Sequence, residues 1–566
     1  MRFLPSNLRP VRTLASALSL LLAISGAAIA QEPTARVIVK FKADASAVDV
    51  PANASLAEQQ ASRVQGVSRR LGMSVRTGVG IADRMQAVTA TGLSSQQLAA
   101  RLSQDSAVEY AVPDELRHRS AAPNDPRYAA GLAAPGPAAG QWYLRAPAGA
   151  VQSSINVEGA WTTVASTSGI VVVAVLDTGI RFDHPDLKRV ADGGNVLDGY
   201  DFVTNAFIAN DTTPGRDSDA SDPGDWVTAA DVASAANTIG CTTADIENSS
   251  WHGTQTAGLI GAITNNALGM AGVTGPGRNV RVLPVRVLGK CGGFDSDIIP
   301  AMRWAAGLSV PGVPTNPTPA RVINLSLGGS GACSAAYQYA VREINQAGVV
   351  VVASAGNTSG HAVSVPANCT GVIGVAGLRH VGSKVGFSDL GPEIAISAPG
   401  GNCVNLTGDC LYPMLTTTNA GTTTPTPLNE AYTDATDVTI GTSFSSPLVA
   451  GTAALMLAVK PSLTPDDVRS LLRRTARVFP TTGDDIDVPS CRAPMFDSAG
   501  QPIDQLECYC TTATCGAGML DASAAVALAQ SDTSGNKGSG GGALGFGWLL
   551  ALGVAIRVVA ATRART

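Results

Sequence analysis

Positive charge is in short supply. Against 44 acidic residues stand 39 lysines and arginines, a formal net charge of −5. There is no basic patch to meet a phosphate backbone, so nucleic acid is excluded as a partner. Histidine is scarcer still. The five are His118, His184, His252, His361 and His380, and no two form the H-E-x-x-H pair of a helical zinc peptidase. Charged residues make up only 15% of the 566, while 45% are hydrophobic and 61 are glycine. That balance supports a large core joined by many loops.

The first thirty residues carry Arg2, Arg9 and Arg12, an apolar run from Leu14 to Ile24, and then Ala28-Ile29-Ala30. A run this short, ended by small residues, is a secretory signal (1–30) cut after Ala30 rather than a transmembrane anchor. Export turns the ten cysteines from metal or redox candidates into disulfides. "CYC" at 508–510 with Cys515 has half the look of a zinc knuckle, but no second ligand pair follows at zinc spacing. The expected pairs are Cys241–Cys291, Cys333–Cys369 and Cys403–Cys410. Cys491, Cys508, Cys510 and Cys515 pair among themselves in an order the sequence leaves open.

Between Thr34 and His118, "ARVIVKFK", "MQAVTATG" and "VEYAVPDE" read as strands, and "SLAEQQASRVQGVSRRLG" and "SSQQLAARLSQD" as helices. This is a small α+β unit. "RHRSAAPNDPRYAAGLAAPGPAAG" then breaks all periodicity and predicts an exposed linker over 121–140. From Gln141 to Gln530, aliphatic runs such as "IVVVAVLDTG", "VRVLPVRVLG", "ARVINLSLGG", "GVVVVASAGN" and "GVIGVAGL" alternate with helical stretches. Such runs suit parallel strands covered on both faces, so this part is α/β, with ligands expected beyond the strand C-termini. A Gly/Ser linker (531–542) and an apolar tail (543–566) broken by Arg557 close the chain.

Three motifs carry chemistry: "VLDTGI" with Asp177, "WHGTQTAG" with His252 and "GTSFSSP" with Ser443. Each alone reads as well as a turn or helix cap. Together they supply a nucleophile, a base to take its proton and a carboxylate to orient the base. Ser443 opens an apolar helix, whose N-terminus favours a developing negative charge. It does not lie in the G-x-S-x-G of a lipase elbow, and the order Asp, His, Ser is that of subtilisin.

On these motifs the chain resembles the subtilisin-like serine endopeptidases (subtilases) over 141–530. The resemblance implies a three-layer α/β fold with a mainly parallel sheet. It implies Asp177 as the orienting carboxylate, His252 as base then acid, Ser443 as nucleophile and Asn357 of "VVASAGN" as oxyanion donor. Ser326, Leu327 and Gly328, with Ala355 and Gly356, would flank the substrate, and Ser364 to Ala367 would form the base of an uncharged pocket suited to an apolar or mid-sized side chain. Asp295, beside the next pocket, would favour a basic residue there. Residues 31–120 would be a ferredoxin-like propeptide domain that assists folding and blocks the cleft. Asp217, Asp219, Asp222 and Asp225 would hold a structural calcium, a solvated acidic loop being the alternative; no cofactor is expected for catalysis.

The tail resembles the GlyGly-type sorting signals of Gram-negative bacteria, cut within the membrane near Gly540 to Gly542 by a rhomboid-like protease. The expected product is a monomeric enzyme at the cell surface or in the medium. Its partners would be protein or peptide substrates, its own propeptide, signal peptidase and the sorting protease. The competing readings are a catalytically inactive binding protein on the same fold and an esterase or acyl transferase using the same triad.

Overall fold

The computed structural model describes residues 34–43, 53–114, 122–133, 136–165, 167, 169–213, 215–277, 279–403, 408–428, 430–481 and 487–532. The signal segment, nearly all of the Gly/Ser linker and the whole tail lie outside them. The chain divides into two compact units at Arg119/Ser120.

The first unit runs β1 (Thr34–Phe41), α1 (Leu56–Leu71), β2 (Arg76–Ala82), β3 (Met85–Thr91), α2 (Ser95–Leu102), β4 (Val108–Pro113). Its sheet is antiparallel in the order β2-β3-β1-β4, a ferredoxin-like split βαβ arrangement. Alternate β1 residues Ala35, Val37, Val39 and Phe41 pack with Val64 and Val67 of α1 and Leu98 and Leu102 of α2. Both helices start with a capping box, Ser55 with Glu58 and Ser94 with Gln97, which satisfies donors at each helix start. The strand β2, "RTGVGIA", escapes the sequence reading. It is an exposed edge strand without alternation, and its two glycines lower strand propensity.

The second unit centres on a seven-stranded parallel sheet. Its strands are β5 (Val171–Asp177), β6 (Tyr200–Asp201), β7 (Val280–Arg286), β8 (Val322–Leu325), β9 (Val350–Ser354), β10 (Val372–Leu378) and β11 (Ile394–Pro399). Their order is β11-β10-β9-β8-β5-β7-β6. The unbroken apolar run of β5 serves two cores at once. Val171, Val173 and Val175 face helices His252–Gly261 and Thr442–Val459; Val172, Ala174 and Leu176 face helices Asp295–Ala305 and Ala335–Gln346. Three layers result, as residues alternate between the faces of a covered sheet. From β5 the chain departs to β6 and β7 on one side and returns as β8 on the other. The crevice at the carboxyl ends of β5 and β8 is therefore the switch point where a ligand site is expected.

Helix Thr442–Val459 passes for a membrane span by length and composition, yet it is 89% buried inside the protein. Close packing on it requires small residues. A Cβ on Gly451 would lie 2.7 Å from Val273 Cγ1.

The predicted linker is exposed along much of its length but is anchored at a few buried residues. Asp125 and Tyr128 are each 2% exposed. Asp125 accepts from the N–H groups of Asn265 and Asn266, and the Tyr128 hydroxyl donates to Glu158. Proline and alanine hide this burial from a periodicity argument, because the segment is held by single anchors rather than by a repeat. The cysteines form five disulfides: the three expected pairs, plus Cys491–Cys508 and Cys510–Cys515.

The central helix makes a stability prediction. Leu455 is fully buried, so Leu455→Ala should lower the unfolding free energy by about 2–5 kcal/mol, read from denaturant melts.

Candidate active site

Asp177 is the last residue of β5 and is 1% exposed. Its Oδ1 accepts from the Thr178 N–H at 2.8 Å and from His252 Nδ1 at 2.7 Å, and its Oδ2 accepts from the Thr256 hydroxyl at 3.1 Å. An ionised carboxylate only accepts, so Nδ1 carries the proton and Nε2 presents a lone pair.

His252 begins its helix immediately after Trp251, which has φ of 52°. That left-handed backbone is held by a buried indole donating to the Gly421 carbonyl at 2.7 Å, the kind of constraint that keeps strain at functional sites. Gly253 completes the approach. A Cβ there would lie 2.0 Å from the Gly179 carbonyl oxygen, so only glycine lets this helix end reach the Asp177 loop.

The four aspartates expected to hold calcium do not converge. Asp217 and Asp219 accept from backbone N–H groups of their own loop, at Asp219 and Ser221. Asp222 is fully buried and accepts from the Thr178 hydroxyl at 2.6 Å, which accepts in turn from the Gly253 N–H at 3.0 Å. Asp225 accepts from the Ser250 N–H and hydroxyl, and that hydroxyl accepts from the His252 N–H. Two of the four thus brace the helix end carrying His252. Among the described residues, the cluster of three metal-ligating side chains is Cys491, Cys510 and Cys515, all consumed in disulfides.

These carboxylates also set the imidazole's charge. Burial alone would push its pKa down, but the attraction of Asp177, with Asp225 and Asp222 behind it, holds it above the ordinary value. Asp222 itself is pushed up to about 7 by burial and by Asp225.

Ser443 is the second residue of its helix, and the imidazole of His252 lies against the next residue, Phe444, with ring centroids 5.5 Å apart. The Ser443 hydroxyl donates to the Ser326 carbonyl at 3.1 Å. Pro447, the sixth residue of the helix, has no N–H for the Ser443 carbonyl four residues back. The Ser326 hydroxyl takes that place, donating to the Ser443 carbonyl at 2.6 Å. Ser326 accepts in turn from Asn324 Nδ2 at 2.9 Å, and Asn324 Oδ1 accepts from the Ser446 hydroxyl at 2.7 Å. A fully buried asparagine inside the strand "VINL" therefore clamps β8 to the helix N-terminus. The sequence reading passed over it, although a polar residue in an aliphatic run is a visible signal.

Asn357 Oδ1 accepts from both the N–H and the hydroxyl of Thr442, each at 2.9 Å. The N–H can only donate, which fixes the amide orientation and leaves Nδ2 as the available donor group. Asp389 braces the same segment, accepting from the Thr358 N–H and hydroxyl and the His361 N–H.

Ser326, Leu327, Gly328, Gly356 and Asn357 line a cavity of about 980 Å³ that includes Ser443, with Ser364 and Asn368 also on its wall. Ala355 does not line it. It is fully buried, its N–H donates to the Val375 carbonyl, and its carbonyl accepts from the Ser364 N–H, so its backbone is engaged within the protein. The pocket is also not free of charge, since Glu393 lines it. Asp295 lines a second cavity of about 660 Å³ beside His252, together with Asp225, Asp245 and Glu247.

Fold and site together define an α/β protein with an aspartate, a histidine and a serine gathered at the carboxyl edge of a parallel sheet. The chain belongs to the subtilase family, whose model matches residues 168–507. It is 40% identical over 388 residues to an extracellular protease of Xanthomonas campestris pv. campestris, covering 68% of this chain and 58% of that protein. It is 36% identical over 377 residues to an extracellular basic protease of Dichelobacter nodosus, covering 66% and 55%. The chain thus spans somewhat over half the length of these relatives. Among solved structures, a protease of Pseudoalteromonas arctica PAMC 21717 is 41% identical, with a TM-score of 0.57 over 72% of this chain and all of that one. The fold is subtilisin-like.

Asn324→Ala leaves the buried Ser446 hydroxyl without its acceptor and removes the donor to Ser326. It should lower unfolding free energy by about 1–3 kcal/mol, measured by chemical denaturation.

Proposed function

We propose that this chain is a secreted serine endopeptidase that hydrolyses peptide bonds in proteins and is made as a self-processing precursor. The observation carrying this reading is the 2.7 Å Asp177–His252 bond in a cavity-bearing crevice beside a helix that starts at Thr442–Ser443.

Ser443 leaves the Ser326 carbonyl and turns its hydroxyl to His252 Nε2, a side-chain rotation. As Oγ attacks the scissile carbonyl, Nε2 takes the proton, and Asp177 stabilises the imidazolium without being protonated itself. The substrate oxygen, now an anion, receives hydrogen bonds from Asn357 Nδ2 and the Ser443 N–H, aided by the helix N-terminus. Protonated His252 then gives its proton to the leaving amine, and water repeats the cycle on the acyl-enzyme.

The relatives named as extracellular proteases support export, which accords with the segment 1–30. The unit ending at Arg119 is assigned as the propeptide, folding assistant and inhibitor until released. The tail 543–566 is assigned as a sorting signal removed in the membrane of a Gram-negative host.

Ser443→Ala should abolish both casein hydrolysis and propeptide release; a pure mutant that still processed itself would remove Ser443 from the nucleophile's role. Loss of activity on esters alone, with casein untouched by the wild type, would favour the acyl-transfer alternative. Asn357→Ala should reduce kcat by about 10²–10³ with KM little changed, since an oxyanion donor acts chiefly in the transition state.

The pH profile gives a further test. The base form of His252 is needed, so kcat/KM should rise with pH through a His252 pKa lying above the ordinary histidine value. Asp225→Asn removes a negative charge that favours the imidazolium, so the acid limb should move to lower pH. An upward displacement, or none, would show that Asp225 does not act on the imidazole.

A further inference from the structure

The cavity holding Ser443 is not finished by the sheet and its loops. Its far side is made by Pro494, Met495, Phe496 and Pro502, which belong to a short hairpin pairing Met495 with Ile503 and Phe496 with Pro502. The two strands have two residues each. An isolated hairpin of that size has no stability of its own in water.

Its position is imposed from outside. The disulfide Cys491–Cys508 closes its base, and the Cys508 carbonyl accepts from the Lys384 N–H at 2.9 Å. His361, itself on the cavity wall, meets Asp504 at 2.8 Å. The Gln505 N–H donates to the Ser359 carbonyl at 2.6 Å. The last two ties run directly to the segment that follows Asn357, so the hairpin is fixed to the same wall that presents the oxyanion donor. At its tip, Asp497 Oδ1 accepts from the N–H groups of Ala499 and Gln501, which closes the turn. Despite this anchoring, Phe496 remains 59% exposed. An aromatic ring on a tethered hairpin, facing both a cavity and water, is positioned to be covered by something that enters the cavity.

Resting on the endopeptidase reading above, we propose that this hairpin is a specificity wall. Met495 and Phe496 contact the side chain of the substrate residue whose carbonyl Ser443 attacks. That chain enters past Gly328 and Gly356, over Ser364, whose side chain fills the space a Cβ on either glycine would take, and runs outward to the hairpin. The size of the cavity and its apolar end at Met495 and Phe496 select a long apolar side chain: leucine, methionine or phenylalanine. Glu393, which also lines the cavity, disfavours glutamate or aspartate at that position by like-charge repulsion.

The test uses a peptide series identical except at this residue, carrying alanine, leucine, phenylalanine, lysine or glutamate. Competent enzyme is counted by fluorophosphonate labelling of Ser443. Labelling reports the serine-nucleophile reading; the ratio of kcat/KM between substrates reports the wall. Wild type should favour leucine and phenylalanine over alanine by at least about tenfold, since one buried methylene is worth that much in a side-chain pocket. Phe496→Ala should lower this ratio about tenfold per competent site. If that variant yields no labelled protein, Met495→Ala with the same substrates decides, and the same fall is expected. Glu393→Gln should raise relative cleavage after glutamate. A ratio within about twofold of wild type in the labelled variants, or a wild-type preference led by lysine or by alanine, overturns the proposal.

Discussion

A helix buried along its whole length can show only its ends to the rest of the protein's chemistry. Helix Thr442–Val459 is such an element, and its first turn faces the crevice between β5 and β8. Apolar packing fixes the helix axis but does little to stop rotation or sliding of a uniformly greasy cylinder. The polar bonds at its start supply the missing specification. Pro447 leaves the Ser443 carbonyl without an intrahelical donor, Ser326 fills that place, and Asn324 and Ser446 fix Ser326. A buried polar group left unpaired is costly, so each of these residues accepts only one relative position of strand and helix. The location of Ser443 follows from satisfying them.

Electrostatics is arranged on the other side of the crevice by the same economy of parts. Asp177 is held by Thr178 and Thr256, and the loop it belongs to is tied through Thr178 to Asp222 and Gly253. Arg286, fully buried, donates to the Thr178 carbonyl and pairs with Asp201. The histidine faces the held Asp177 carboxylate, with Asp225 behind it, and their attraction favours its protonated form. This is the form a base must reach when it has taken a proton, and a preorganised field stabilises it without reorganisation at the moment of reaction.

The sheet, its two covered faces and the placement of the three motif residues at a strand end and two helix starts could be read from the sequence because they rest on local signals. Continuous aliphatic runs mean strands covered on both sides, and a hydroxyl-rich start to an apolar helix marks an end that must be satisfied. What could not be read depends on distant partners. β2 has no hydrophobic rhythm and exists because β3 pairs with it. Asp125 and Tyr128 sit in a proline- and alanine-rich stretch whose burial is decided by Asn265, Asn266 and Glu158. The aspartates of "GRDSDASDPGDW" share a spacing that suits a metal, yet their backbone path sends two into their own loop and two behind His252. Spacing along a chain constrains ligands only where the loop is known to close on one point.

The hairpin beside Ser443 differs in kind from the rest of the site. Asp177, His252 and Ser443 stand on a strand end and helix starts, and Asn357 on the loop after β9, positioned by cores and buried hydrogen bonds, so a change in any one is transmitted to the others. The segment 491–508 contributes Met495 and Phe496 through a covalent loop with few core contacts of its own. Closing a loop by a disulfide restricts the unfolded chain more than it adds native contacts. The wall can therefore change in sequence with little effect on the frame that holds the reacting groups. On the proposed reading, reaction geometry and side-chain selection are thus held by different forces, buried polar satisfaction for the first and a covalent tether for the second.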